Sequence, residues 1–147
     1  MTLSLLVRRL RSVPPRQWPA FGAAAAVAVA VEVGLRTLKL PVLARIMGVP
    51  LKLDGGPSVL PADRADLPLP AWARVRLKVA RRVMGRWPFG DTCLRRALVS
   101  GQRLRRLQPR LRVGVAKVDD EFRAHAWLEI DGVSLDPAAA SFESLEE

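Results

Sequence analysis

The sequence holds a single cysteine, Cys93, and a single histidine, His125, in 147 residues. One cysteine excludes an intramolecular disulfide, and one of each excludes a zinc site of the Cys/His kind. Acidic residues are also few: 14 Asp and Glu stand against 24 Lys and Arg, a formal net charge of +10. That balance attracts anionic partners, whether nucleic acid, acidic lipid or acidic peptide, without choosing among them. The basic residues are not interleaved with aromatics on strands and no nucleic-acid reading motif occurs, so nucleic acid is not an expected partner. No internal repeat is present. What is abundant is apolar: half the residues are hydrophobic and 26% are charged, which supports a packed core rather than disorder. The length suits one domain with a short appended segment.

Three regions follow along the chain. Residues 1–53 read as a helical arm, rich in Ala and Leu and punctuated by Pro14, Pro15, Pro19 and Pro41. Arg8, Arg9, Arg11 and Arg16 precede an apolar run from Trp18 to Val33 that only Glu32 interrupts. Basic residues before an Ala-rich run resemble a secretory signal, but the run falls short of the roughly 20 residues a bilayer span needs. Leu35, Leu38, Val42 and Ile46 continue the amphipathic pattern beyond it. The expectation is a buried or interfacial arm on a cytoplasmic protein, with peripheral membrane contact as the alternative. Residues 54–70 form a connector, in which Gly55, Gly56, Pro57, Pro61, Pro68 and Pro70 leave no room for a regular element.

Residues 71–147 form the compact half. Trp72, Val75, Val79 and Val83 recur at helical spacing over 71–87, with Arg74, Lys78, Arg81, Arg82 and Arg86 on the other face. Trp87-Pro88-Phe89-Gly90 ends that helix. A second helix is expected over 92–107, with Leu94, Leu98, Leu104 and Leu107 apolar and Asp91 or Thr92 as its cap. Beyond Pro109 the period becomes two: a strand with Leu111, Val113 and Val115, a turn at 119–121, a strand over 122–130, and a third over 133–136 stopped by Pro137. Asp131-Gly132 is a two-residue hairpin signal.

That hairpin fixes a register. Ile130 lies opposite Val133, so paired positions sum to 263, which sets Leu128 against Leu135 and Trp127 against Asp136. Side chains alternate between faces, so one face collects Phe122, Ala124, Ala126, Leu128, Ile130, Val133 and Leu135. The other collects His125, Trp127, Glu129, Ser134 and Asp136. His125 and Asp136 become diagonal neighbours, roughly 7–8 Å apart at the backbone and within reach of each other's side chains. A carboxylate there orients an imidazole and stabilises its charged form.

Cys93 opens the second helix, where unpaired amides and the positive dipole end favour a thiolate. The same amides, including that of Cys93, are placed to hold a developing oxyanion. Arg95 and Arg96 add positive potential. A thiolate at a helix start, a histidine on a strand and an aspartate on the next strand make up the nucleophile, base and orienting acid of cysteine peptidases and transglutaminases. Taken singly, a lone Cys is more often core and a lone strand His more often structural; their joint placement carries the reading.

The same residues resemble a family. Cys93-Leu94-Arg95-Arg96-Ala97-Leu98, then Gly114-Val115, then Ala124-His125-Ala126-Trp127-Leu128-Glu129, with Gly132 and Asp136, are similar to the transglutaminase-like leader peptidases of lasso-peptide biosynthesis, a microcin-processing cysteine peptidase family. The similarity spans about residues 90–137. It implies an α+β, papain-like or transglutaminase-like fold, with a nucleophile helix beside an antiparallel sheet and a helical N-terminal portion. It implies cleavage of a leader from a ribosomally made precursor peptide, with Cys93 as nucleophile, His125 as general base and acid, and Asp136 as orienting carboxylate, without metal or cofactor. The implied partners are the precursor, a leader-binding protein and an asparagine-synthetase-like cyclase. With little chain after Asp136, part of the substrate groove would fall to a partner.

Around this core, Trp127 and Arg96 are expected to wall the substrate cleft, and Glu129 to be a solvated strand residue. Two other functions remain open on the sequence alone. The same triad can pass its acyl group to an amine, as an acyl transferase does, and the basic surface alone would suit a non-enzymatic binding module.

Overall fold

The computed structural model describes residues 15–52, 69–118 and 120–136. The connector expected over 54–70 therefore lies almost wholly outside the described residues, as does the chain beyond Asp136. Four helices are described: α1 (Trp18–Thr37), preceded by a 3-10 turn at Pro15–Gln17, α2 (Leu40–Ile46), α3 (Ala71–Met84) and α4 (Cys93–Arg103). Three strands follow: β1 (Arg110–Val118), β2 (Glu121–Ile130) and β3 (Val133–Ser134), antiparallel in the order β1-β2-β3. This is the α+β arrangement expected, with helices segregated from a meander.

The local sequence explains most boundaries. Pro19 sits in the first turn of α1 and Pro41 in the first turn of α2, where a missing N–H costs nothing. Thr92 caps α4, its hydroxyl accepting from the Arg95 amide at 3.3 Å. Asp91, the other candidate cap, instead pairs with Arg96. After α4 the chain tightens into a 3-10 turn at Arg105–Leu107, and Gln108 reaches β1 through a left-handed conformation.

The hairpin register is the expected one. Ile130 pairs with Val133 and Glu129 with Ser134, and the Leu135 amide donates to the Leu128 carbonyl at 2.9 Å. Asp131 and Gly132 both have positive φ, 52° and 80°, as a type I′ turn demands. The first hairpin is longer than the alternation suggests: β1 continues to Val118, which pairs with Glu121. Residues 50–52 run parallel along the outer edge of β1, where the Leu111 amide donates to Pro50 and the Lys52 amide to Leu111. No sequence signal marks that pairing.

α4 is the axis of the fold. Ala97, Leu98, Val99, Ser100 and Gly101 are buried in succession, so every side of the helix is covered. α1 and α3 pack on it, and the sheet covers it through β2 and β1. The helix is tightly approached at Gly101, where a Cβ would meet both Val49 methyls at 2.7 and 2.8 Å and a Leu128 methyl at 3.1 Å. One cluster joins Ala28, Val31, Leu43 and Val49 from the first stretch to Met84, Leu98, Leu104, Leu111 and Leu128 from the second. The helices before residue 53 and the chain after residue 71 thus share one core.

Three expectations change. The buried side of α3 is Ala73, Val79, Ala80 and Met84, while Trp72 and Val75 are exposed, because small residues allow α1 and α4 to close on the helix. The helix holding the Trp18–Val33 run does not fall short of a bilayer: with the preceding turn it covers 23 residues and is long and apolar enough to cross one by length and composition. Glu129 is not solvated. It is 2% exposed and forms ion pairs with Lys52 and Arg112, each at 3.4 Å. Both faces of β2 are covered toward its end, so a carboxylate there needs cations beside it.

Candidate active site

The α4 cap decides where the sulfur sits. Because Thr92 is extended and accepts from Arg95, helical geometry begins at Cys93. The amides of Cys93 and Leu94 precede the first intrahelical bond, so the ladder cannot satisfy them. The thiol is half-buried, its side chain resting against the core cluster.

On the sheet, His125 Nε2 lies 2.9 Å from Asp136 Oδ2. Both residues stand on one face of the sheet as diagonal neighbours, and the contact follows from the register. A short turn steadies Asp136: its amide donates to Ser134 Oγ at 3.1 Å, and the Ser134 hydroxyl donates to the Asp136 carbonyl at 3.0 Å. The imidazole stacks on Trp127, with ring centres 5.9 Å apart and planes 20° from parallel. Trp127 is buried and the Arg112 guanidinium lies 5.7 Å from its ring centre, so the indole is held and in turn limits rotation of the histidine.

Cys93, His125 and Asp136 line one cavity of about 290 Å³. Trp127 and Arg96, the two expected cleft residues, line it too. Arg96 is held by both oxygens of Asp91, and that pairing, more than the charges at Asp136 and Cys93, raises it further above its already basic value. It therefore stands at the rim as a fixed cation. The remaining wall includes Leu77, Ala97, Leu128 and Leu135, with the buried Ser100, whose hydroxyl has no hydrogen-bond partner among the described residues. Sequence reading missed Ser100, although it stands seven residues after Cys93. Two helical turns put both on one side of α4. Among the described residues, no three His, Cys, Asp or Glu side chains gather as a metal would need.

A further set of contacts ties α4, the helix that carries Cys93, to α1. Glu32, buried on α1, receives Arg95 at 2.8 Å and Arg36 at 2.8 Å. The hydrogen bond from Arg95 pulls this carboxylate below its ordinary value of 4.5, against an opposing push from burial, and Arg36 adds to the fall. Arg36 also lies over the Phe89 ring, 5.0 Å from its centre, in the turn leading to Cys93. Glu32 is the one acidic interruption of the apolar run, and its partner Arg95, 63 positions on, became visible only in three dimensions.

A capped helix that opens on the cysteine packs against an antiparallel sheet, with thiol, imidazole and carboxylate on one cavity, an arrangement consistent with a transglutaminase-like α+β fold. The sequence model of the transglutaminase-like superfamily matches residues 25–146, and the chain belongs to that superfamily. The match takes in most of α1 as well as the helices and sheet of the site. Searches of curated proteins and of solved structures returned no match.

Proposed function

We propose that the chain is a cysteine peptidase that removes the leader from a ribosomally made precursor peptide in lasso-peptide maturation. The observation that carries the chemistry is the 2.9 Å contact between His125 Nε2 and Asp136 Oδ2 on a cavity that Cys93 also lines. Engagement of Nε2 by the carboxylate assigns proton exchange with the thiol to Nδ1. His125 takes the thiol proton, the Cys93 sulfur attacks the scissile carbonyl, and the Cys93 amide receives the oxyanion. His125 then protonates the leaving amine, and a water that it activates hydrolyses the thioester. The substrate rests on the motif resemblance over residues 90–137; membership of the superfamily supports the reaction class, which embraces peptidases and acyl transferases alike.

The cavity suits a side chain next to the scissile bond, not a long leader, so leader recognition is assigned to a separate binding protein that raises the local substrate concentration. The released core would pass to an asparagine-synthetase-like cyclase, and the reaction belongs in the cytoplasm. Incubating the chain with candidate precursor and leader-binding protein, followed by mass spectrometry, tests this. Free leader is expected with wild type and none with Cys93→Ala or His125→Ala. Leader joined to an added amine instead of released would identify an acyl transferase. Equal cleavage by Cys93→Ala would refute the mechanism.

A further inference from the structure

α1 has two faces with different fates. Ala24, Ala28, Val31, Glu32 and Gly34 are buried against the rest of the fold. The opposite side, Trp18, Gly22, Ala26, Val29, Ala30 and Val33, is exposed over about four turns and carries no charge. Val29 and Val33 are 53% and 56% exposed, and Val42 and Ile46, one turn apart on α2, are 48% and 63% exposed. A helix face turned to water ordinarily carries charged residues. This one carries none between Arg16 and Arg36.

Its surroundings are of one sign. Arg16, Arg36, Lys39 and Arg45 are exposed along the first two helices, and Glu32, the sole acidic residue of 15–52, faces inward to Arg95. A second copy laid on this face would bring like charges together. A negative surface with an apolar interior matches both features, and a tryptophan at one end of the stripe fits the interfacial zone. Crossing the bilayer is excluded by the other face: it would pull Ala28 and Val31 from the core and leave Glu32 in hydrocarbon.

We infer that the outward face of α1 and α2 seats the protein on an anionic lipid surface, with Val29, Val33, Val42 and Ile46 entering the headgroup boundary and Arg16, Lys39 and Arg45 meeting lipid phosphates. Because Arg36 at the end of the stripe covers Phe89, the turn before Cys93 lies beside the docked surface. Anionic lipid attracts nearby cations within a Debye length, so the attachment is salt-sensitive.

The test is co-sedimentation of the purified full chain with vesicles of phosphatidylcholine alone or mixed with phosphatidylglycerol, at low and high salt. Binding is expected to the mixed vesicles, reduced by salt and weak on phosphatidylcholine. A Val29→Ser/Val33→Ser variant, which leaves charge unchanged, should bind at least roughly ten-fold more weakly. Phe122→Ser, at a ring 78% exposed on β2, should bind as wild type. Absence of binding to mixed vesicles, or equal binding by the stripe variant, would overturn the inference. So would a wild-type dimer in sedimentation velocity that the stripe variant abolishes, since a second copy would then be the occupant. None of these readings depends on peptide cleavage.

Discussion

His125 meets Asp136 through a chain of small constraints: a type I′ turn, a register summing to 263, and a serine that anchors the aspartate backbone. In the proposed mechanism the carboxylate fixes the imidazole tautomer and stabilises its charged form, and an amide in its place lacks the charge and can favour the other tautomer. Asp136→Asn should therefore keep the fold and lower turnover by about 10⁴, the loss seen when the corresponding change in a serine protease favours the wrong tautomer. Steady-state cleavage together with thermal unfolding checks this; a variant that is stable and fully active would remove Asp136 from the mechanism. Trp127 is a buried plane against which the imidazole lies. Glu129, two residues on, serves the interior instead, paired with Lys52 and Arg112.

α4 concentrates the demands on the elements. Its first residue carries the thiol, its second turn meets the cavity at Ala97 and Ser100, and its third comes against Val49 and the sheet at Gly101. Val49 is β-branched and fully buried, so it cannot swing aside for an added methyl. Gly101→Ala should cost about 1–3 kcal/mol despite the better helix propensity of alanine. A denaturant midpoint measures this, and an unchanged or raised midpoint would show that the helix and Val49 separate freely. At the start of the same helix, Thr92→Ala should cost about 1 kcal/mol, the usual loss of a cap. An unaltered midpoint would show that the Arg95 amide is satisfied without the hydroxyl.

Across the whole molecule, the Glu32–Arg95 pair is a polar link between α1 and the helix that carries Cys93. A carboxylate lowered in the folded state stabilises fully above its unfolded value. That contribution is lost as pH falls through the lower folded value. Glu32→Gln should thus be less stable than wild type at neutral pH, and the gap should close as pH drops below about 4.5. Unfolding curves for both proteins at several pH values provide the check; a gap independent of pH would mean that the charge on Glu32 contributes nothing. Since Arg36 reaches from Glu32 to Phe89, the variant should also alter the rate at which Cys93 is alkylated.

Local chemistry determined a good part of this protein in advance. Asp131-Gly132 sets a turn with two positive φ values, and period-two alternation then leaves one partner for each residue, so the His125–Asp136 contact followed from the sequence alone. A cap at Asp91 or Thr92 before an apolar helix likewise marked Cys93 as a first-turn residue. Short-range rules suffice there because turn geometry and side-chain alternation act over a few residues. Tertiary structure decided the rest. Which side of α3 is buried depended on how closely α1 and α4 approach, and the small Ala73 and Ala80 prevailed over Trp72 and Val75. The edge pairing of Leu51 with Leu111, the Lys52 cation beside Glu129 and the Arg95 partner of Glu32 join residues 60 or more positions apart, where no periodicity carries information. Burial of a charge is settled by what lies across the core, and that is a property of the packed molecule.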